Sequence, residues 1–352
     1  MQRFVVARTP RLLFGEERIR ELGSFLAGRA LQRVIVVMSR SALADPSERD
    51  GVRTLLREAA VGARFFRYDR LPDGDDPFEA ERGPFLEASP EVVDAIAREA
   101  AGATPDGVVA IGGGSAIDTG KALSVAFAEP GSIVEYLEGV GSKSPGGRKL
   151  PFVAVPTTAG TGSEATKNAV LSSPGPNGFK KSLRHDNFVP DAAIVDPLLQ
   201  LSCPRALTAS SGLDAIAQLL EAYVSTGASP VTDALALDGL AAAGRSFLRA
   251  VERGGQDADA RSGMAYAAYL SGVCLANAGL GTVHGLAGPA GGITAVPHGV
   301  FCGKLLPVVS RRTVDALQGR RDALGVLGKY AAAGRALSGR TTGSLEDQIQ
   351  ML

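Results

Sequence analysis

Four side chains in this sequence are spaced so that they could do chemistry together. In "SGLDAIAQLLEAY" (211–223), Asp214 and Gln218 sit four positions apart. That is one helical turn, so both side chains leave the same face. An Asp and a His at that spacing would make half of a metal site. Here the second residue is an amide, which leaves open a metal centre, a relic of one, or an ordinary buried helix. His284 and His298 are two of only three histidines in the chain, and both fall in the glycine-rich apolar stretch "GLGTVHGLAGPAGGITAVPHG" (279–299). With Asp214 they make two imidazoles and one carboxylate, a donor set suited to Fe2+ or Zn2+. The third histidine, His185, lies in "KKSLRHDN", expected to be a polar loop, and is read as structural or incidental.

Two further stretches could hold a phosphate or a ribose. "VVAIGGGSAIDTGKALS" (108–124) runs a buried strand into Gly112–Gly113–Gly114–Ser115 and then into a helix that carries Asp118 and Lys121. Glycines let backbone N–H groups approach a phosphate, and a helix N-terminus adds partial positive charge. The pattern is neither GxGxxG nor the Walker sequence. A glycine turn serving backbone geometry alone is the competing reading. "VPTTAGTGSEATKNAV" (155–170) follows another strand with Thr157, Thr158, Thr161 and Ser163 among glycines. Such a turn can equally well cap a helix. Two such loops at strand C-termini of one sheet mark the place where open α/β sheets bind ligands.

Elements that would position these residues follow from the hydrophobic pattern. "RVIVVMS" (33–39), "DGVVAIGGG" (106–114), "PFVAVPTTAGTG" (151–162) and "DAAIVDP" (191–197) read as strands, with "SPEVVDAIAREA" (89–100) as an amphipathic helix between. Strands alternating with helices argue for a mostly parallel α/β sheet. "RLPDGDDPFEAERGPFLEA" (70–88) reads as a surface excursion, and "FVVARTPRLLFG" near the N-terminus as an edge β-hairpin. After about residue 200 alanine- and leucine-rich helical patterns take over. The expected architecture is an N-terminal α/β domain followed by a C-terminal helical domain, with the boundary near 190–205.

Composition excludes several function classes. At 352 residues the chain suits about two domains. Lys plus Arg (37) equals Asp plus Glu (37), which provides no basic footprint for nucleic acid and no attraction to an acidic membrane. No apolar run approaches the roughly 18 residues of a spanning helix, and the N-terminus is too polar for a signal peptide. Cys203, Cys274 and Cys302 are scattered with no CxxC among them, as expected of a reducing, cytoplasmic setting.

Taken together, "GGGSAIDTGKA", "PTTAGTGSE", the "IVDP" strand end, "GLDAIAQLLEAYVS" and "HGLAGPAGG…PHG" resemble the iron-containing (group III) alcohol dehydrogenase family in order and spacing, over nearly the whole chain. The resemblance implies an α/β, Rossmann-like dinucleotide-binding domain over 1–195, an all-α helical metal and substrate domain over 196–352, and an active site in the cleft between them. It implies reversible hydride transfer between NAD(P) and an alcohol or aldehyde, with the reductase direction expected, and a homodimer. Carried over by position, Gly113, Gly114 and Ser115 match the pyrophosphate loop, and Asp118 a residue near the nicotinamide. Thr157, Thr158, Thr161 and Ser163 match cofactor contacts, and Lys181 a lysine that approaches the nicotinamide ribose. Metal ligands fall on Asp214, Gln218, His284 and His298, with both histidines at the substrate oxygen. Ser39 and Arg40 stand where NAD-specific relatives place an Asp, so NADPH is expected to be accepted.

Three departures accompany the resemblance. Family members carry His at the position of Gln218, and many carry another at Gly288. An amide oxygen is a weaker donor than imidazole, so loose metal binding or none is expected. Relatives also usually continue through further helices after "GSLEDQIQML", which leaves the closing part of the helical domain open. Without metal the chain would be similar to maleylacetate reductases, oxo-acid reductases in which His284 or His298 would hold the developing oxyanion. Two other readings are a cyclising enzyme similar to dehydroquinate synthase, whose richer set of basic residues is not evident, and an inactive dinucleotide-binding homologue.

Overall fold

The computed structural model describes residues 3–39, 46–72, 87–175, 178–293, 296–340 and 343–350. The chain divides into two compact units, one comprising Arg8–Thr158 with Ser163–Ser202, the other holding residues 3–7, Ala159–Gly162 and the chain from Cys203 onward. Arg40 and most of the 70–88 excursion (73–86) lie outside the described residues.

Among the described residues, the first unit is built on eight strands and four helices. In chain order they are β1 (Arg11–Phe14), α1 (Leu22–Ala27), β2 (Arg33–Met38), α2 (Pro46–Glu58), β3 (Gly62–Arg67), α3 (Pro90–Ala100), β4 (Gly107–Gly112), α4 (Gly114–Ala126), β5 (Phe152–Pro156), β6 (Asn168–Ser173), β7 (Phe179–Arg184) and β8 (Ala192–Val195). Six strands form one parallel sheet in the order β1-β8-β5-β4-β2-β3. Its central strands are unbroken runs of Val, Ile and Ala because both faces are covered. The pleat sends Ile35 and Val37 to one side, against Val92, Ile96, Ile117 and Leu123. Val34, Val36 and Met38 go to the other, against Leu22, Leu26, Val52 and Leu56. Each such side chain contributes about 1.5–3 kcal/mol by leaving water. Chain direction across the sheet reverses between β2 and β4, so the loops after these strands flank the switch point at which open α/β sheets take ligands.

Two expectations need correction here. The N-terminal stretch is not a hairpin: only Arg11–Phe14 is a strand, and it pairs in parallel with β8 at the sheet edge. Residues 3–10 have no strand pairing, and the Ala7 N–H instead donates to Asn277 Oδ1 at 2.6 Å. "KKSLR" is not a loop but part of β7, which pairs antiparallel with β6. His185 does have a local structural role, with Nδ1 accepting the Asn187 N–H at 3.1 Å.

A buried lysine ties this unit together. Lys121, on α4, is wholly buried, with Nζ 2.8–3.0 Å from the carbonyl oxygens of Ser163, Thr166 and Asn168 and from Thr166 Oγ1. Burial pushes its ammonium down to about 8, against the opposing pull of Asp118 and Glu164. Glu164 is buried too, and burial pushes its carboxyl up to about 7 although Lys121 draws it down.

The second unit is helical: α5 (Arg205–Val224), α6 (Pro230–Arg253), α7 (Ala258–Ala278), α8 (Thr282–Ile293), α9 (His298–Leu317), α10 (Leu324–Ser338) and α11 (Leu345–Gln350). Helix α5 packs against α6, α7 and α9 and is apolar nearly all round, as a central helix must be. Buried Asp214, Gln218 and Glu221 interrupt that surface at i, i+4 and i+7, which is a single stripe. Backbone crosses backbone where Gly162 (φ +60°) meets α7: a Cβ there would stand 2.4 Å from Gly272 N. No single helix among the described residues is long and apolar enough to cross a membrane.

Glu164 makes the first unit's stability depend on pH. Its folded pKa of about 7 exceeds the ordinary 4.5, so the folded state favours the protonated form. That contribution is complete below pH ~4.5 and is lost as pH rises through about 7, up to about 3 kcal/mol in all. Urea unfolding at pH 5 and pH 8 should show wild type losing stability over this range, while Glu164→Gln loses markedly less.

Candidate metal and dinucleotide sites

Within the helical unit, Asp214 on α5, His284 on α8 and His298 at the start of α9 converge with a residue that the sequence analysis left unassigned, Cys302. One donor atom from each of the four lies within 4.8 Å of the other three. His284 Nε2 is 3.1 Å from Asp214 Oδ1, and His298 Nε2 is 3.7 Å from the same oxygen. Cys302 Sγ is 3.7 Å from Nε2 of both histidines. Donors bound tetrahedrally at about 2.0–2.3 Å stand roughly 3.3–3.7 Å apart, so the set fits one Zn2+- or Fe2+-sized ion.

Behind His284 stands Glu221, a second residue unassigned from sequence. Its Oε2 lies 2.6 Å from His284 Nδ1, while Oε1 accepts the Val283 N–H at 2.6 Å and Oε2 the His284 N–H at 3.3 Å. One carboxylate thus satisfies orphan donors in the first turn of α8 and aligns its imidazole. With Nδ1–H donated to Glu221, the lone pair of Nε2 faces the other three donors. Ala217, Val283, Ala287 and Cys302 form an apolar cluster backed by Phe301 and Leu305, which limits water around the site.

The charges reflect this crowding. Burial opposes both ionised forms, yet hydrogen bonds to Asp214, Cys302 and Glu221 push the His284 imidazolium up to about 12. Burial likewise opposes ionisation of Asp214, but His284 and His298 hold its carboxyl below the ordinary range. Burial pushes the Cys302 thiol up.

Gln218 lies one turn beyond Asp214, as expected, but its Oε1 accepts from Ser271 Oγ at 2.9 Å. A Cβ added at Gly288, one turn beyond His284, would meet nothing within 4 Å.

The glycine loop belongs to the other unit. Gly113 is the N-cap of α4 in extended conformation, with no side-chain cap. The N–H groups of the first helical turn, including those of Gly114 and Ser115, are therefore available to an anion. A Cβ on Gly113 would stand 3.3 Å from Thr158 Oγ1, closing the space a phosphate would use. The Thr157 N–H donates to Gly112 O at 2.9 Å, joining the two loops, and Ser39 is buried beside Gly112. Asp118 is occupied within the fold: Ser163 Oγ donates to one carboxylate oxygen and the Val170 N–H to the other, the latter at 3.0 Å. Lys181 is exposed on β7, opposite Leu171 on β6, and Thr161 is exposed.

Comparison with known proteins agrees with this arrangement. Residues 82–197 match the family described as iron-containing alcohol dehydrogenase, and 208–349 match the Fe-containing alcohol dehydrogenase family C-terminal region. The chain belongs to the iron-containing alcohol dehydrogenase family. It is 42% identical over 204 residues to long-chain-alcohol dehydrogenase 1 of Geobacillus thermodenitrificans, a match covering 58% of this chain and 51% of that protein. It is 34% identical over 292 residues to the NAD-dependent methanol dehydrogenase of Bacillus methanolicus, covering 83% and 71%. A solved 1,3-propanediol oxidoreductase superposes with a TM-score of 0.84 at 29% identity, covering 99% of this chain and 84% of that one. The chain spans about half the length of the first curated relative it matches.

Glu221 provides a direct check on the metal reading. Glu221→Ala should weaken Zn2+ binding by about 10–100-fold, the usual cost of losing an outer partner of a ligating histidine. It should also destabilise the fold by about 1–3 kcal/mol, because buried N–H groups of α8 lose their acceptor. Chelator competition and urea titration would measure the two effects.

Proposed function

We propose that this protein is an NAD(P)-dependent alcohol dehydrogenase that interconverts a small alcohol and its aldehyde or ketone. The observation that carries the reading is the convergence of Asp214, His284 and His298 on one buried point. Added support comes from a chain that elsewhere offers an uncapped helix N-terminus behind a glycine loop.

Asp214, His284 and His298 would hold a divalent cation, and the α4 N-terminus would hold the pyrophosphate of the dinucleotide. When bound, Fe2+ or Zn2+ supplies Lewis-acid stabilisation of the substrate oxygen and the nicotinamide supplies the hydride donor or acceptor. The chain's own part is placement. Glu221 fixes the ring of His284, and the apolar wall of Ala217, Val283 and Ala287 keeps the local dielectric low, strengthening charge stabilisation. In the other unit, Gly113 leaves room for phosphate, and Asp118 and Lys121 hold the loop that carries Thr157, Thr158 and Ser163. We assign Ser39, Gly113, Gly114, Ser115, Thr157, Thr158, Thr161, Ser163 and Lys181 to the cofactor.

We also read the protein as a homodimer. Phe4, Val5 and Val6 are exposed, at 42%, 88% and 47%, an apolar run that favours self-association. Light scattering giving only monomer at micromolar concentration would oppose this.

The deciding experiment is turnover of NADH and NADPH with a panel of aldehydes and oxo acids, with metal content measured in parallel. Activity should track bound Fe2+ or Zn2+ and disappear on chelation; full activity in stripped protein would overturn the metal-dependent reading. NADPH should be accepted, because Ser39 presents no carboxylate to repel a 2′-phosphate. Gly113→Val should weaken NAD(P)H binding more than about tenfold, since the missing space costs phosphate contacts made by several N–H groups. Fluorescence titration would check this, with unchanged circular dichroism confirming the fold.

A further inference from the structure

Each of the three proposed ligands begins a pair of residues one helical turn apart, and the three pairs differ. Asp214 is followed by Gln218 on α5, His284 by Gly288 on α8, and His298 by Cys302 on α9. Side chains four apart share a face, so each pair could in principle offer two donors to one ion. Gly288 has no donor to offer. Gln218 has one, but its Oε1 already accepts from Ser271 Oγ, which also lies 3.4 Å from Gly160 O. Cys302 is different. Its sulfur is fully buried and equidistant, at 3.7 Å, from the two imidazole nitrogens, and it belongs to the same four-donor set as Asp214.

Resting on the metal centre read above, we propose that Cys302 is the fourth protein ligand in this chain. The metal shell is then one carboxylate, two imidazoles and one thiolate, with Gln218 left outside as part of the helix packing. On binding M2+, Cys302 forms the S–M bond and releases its thiol proton to solvent, so the sulfur ligates as thiolate with no change of oxidation state. A soft sulfur beside two nitrogens favours Zn2+ and Fe2+ over the oxygen-seeking Mg2+ and Ca2+. The weak metal binding expected from the amide at 218 does not follow, because a stronger donor enters from α9.

Anaerobic titration of metal-stripped full-length protein with Co2+ tests this directly, because thiolate bound to Co2+ produces an intense near-ultraviolet charge-transfer band that oxygen and nitrogen donors do not. Wild type should bind one Co2+ and show the band. Cys302→Ser and Cys302→Ala should lose it, with Co2+ and Zn2+ binding weakened by about 100-fold, at or beyond the upper end of the loss of an outer-shell partner. Gln218→Ala should keep the band and bind within about threefold of wild type, well inside that range. Cys203→Ser, with the thiol elsewhere in the unit, should also keep it. Stoichiometric Co2+ without the band in wild type would overturn the thiolate ligand while leaving Asp214, His284 and His298 as a metal site. Loss of binding in Gln218→Ala with retention in Cys302→Ala would return the fourth position to the amide and overturn the proposal. Absence of any Co2+ binding by folded wild type would overturn both this inference and the metal centre it rests on.

Discussion

The carboxylate of Glu221 is the contact on which the helical unit's chemistry depends. It comes from α5, two turns past Asp214, and receives backbone N–H groups of α8 together with Nδ1 of His284. Without it, α8 would begin with buried donors unsatisfied, at a cost of about 1–3 kcal/mol each. Because the same group orients the imidazole, the start of α8 and the aim of His284 are set by a single interaction. Helix α5 therefore supplies both a ligand, Asp214, and the clamp on another. This is why polar residues stand on the face of a helix whose remaining surface is buried hydrocarbon.

The α/β unit uses a buried charge in a comparable way. Lys121 is enclosed by three carbonyl oxygens and a hydroxyl from the loop and strand that follow β5. Burying an ammonium is expensive unless every donor is met, and here the acceptors are the loop residues Ser163 and Thr166, and Asn168 at the start of β6. The loop's shape and the lysine's burial are each possible only with the other. Asp118, one turn before Lys121 on α4, completes the arrangement by accepting from Ser163 and Val170. Helix α4 thus offers an anion its N-terminus while its next turn sets the neighbouring loop.

The sequence was most legible where period and burial coincide. Strands β2, β4, β5 and β8 are short apolar runs closed by glycine or proline, and each could be read directly. Strand β3 ("GARFFR") and the β6–β7 hairpin were not, because charged residues on half-exposed strands blur the alternation that marks them. The N-terminal hairpin was misread because apolar residues on both sides of Pro10 imitate two strands, whereas only the second finds a partner. In the site, the proximity of Asp214, His284 and His298 was legible from the scarcity of histidine. Cys302 was not, although its distance of four from His298 carried the signal. By composition it is one of three scattered thiols, and only the α9 helix makes it the second member of a pair with His298. Glu221 and Lys121 could not be assigned at all, since their roles rest on acceptors and donors 42 to 63 positions away.

Moving a donor from α5 to α9 also changes the charge of the site, and that bears on what the ion can do. One carboxylate and three imidazoles around a divalent ion leave a net charge of +1. With one imidazole exchanged for a thiolate, the same ion becomes neutral. In a buried, apolar setting the neutral shell is cheaper to desolvate, so affinity is favoured. A thiolate also donates more electron density than an imidazole, which lowers the pull on a substrate oxygen. The chain would hold its metal tightly while polarising less, and more of the burden of stabilising an alkoxide would pass to the surrounding groups. Gly288 cannot share that burden, since it has no side chain. Nor can His298: although 26% of its side chain is accessible, its Nδ1 is buried and its Nε2 would be committed to the ion.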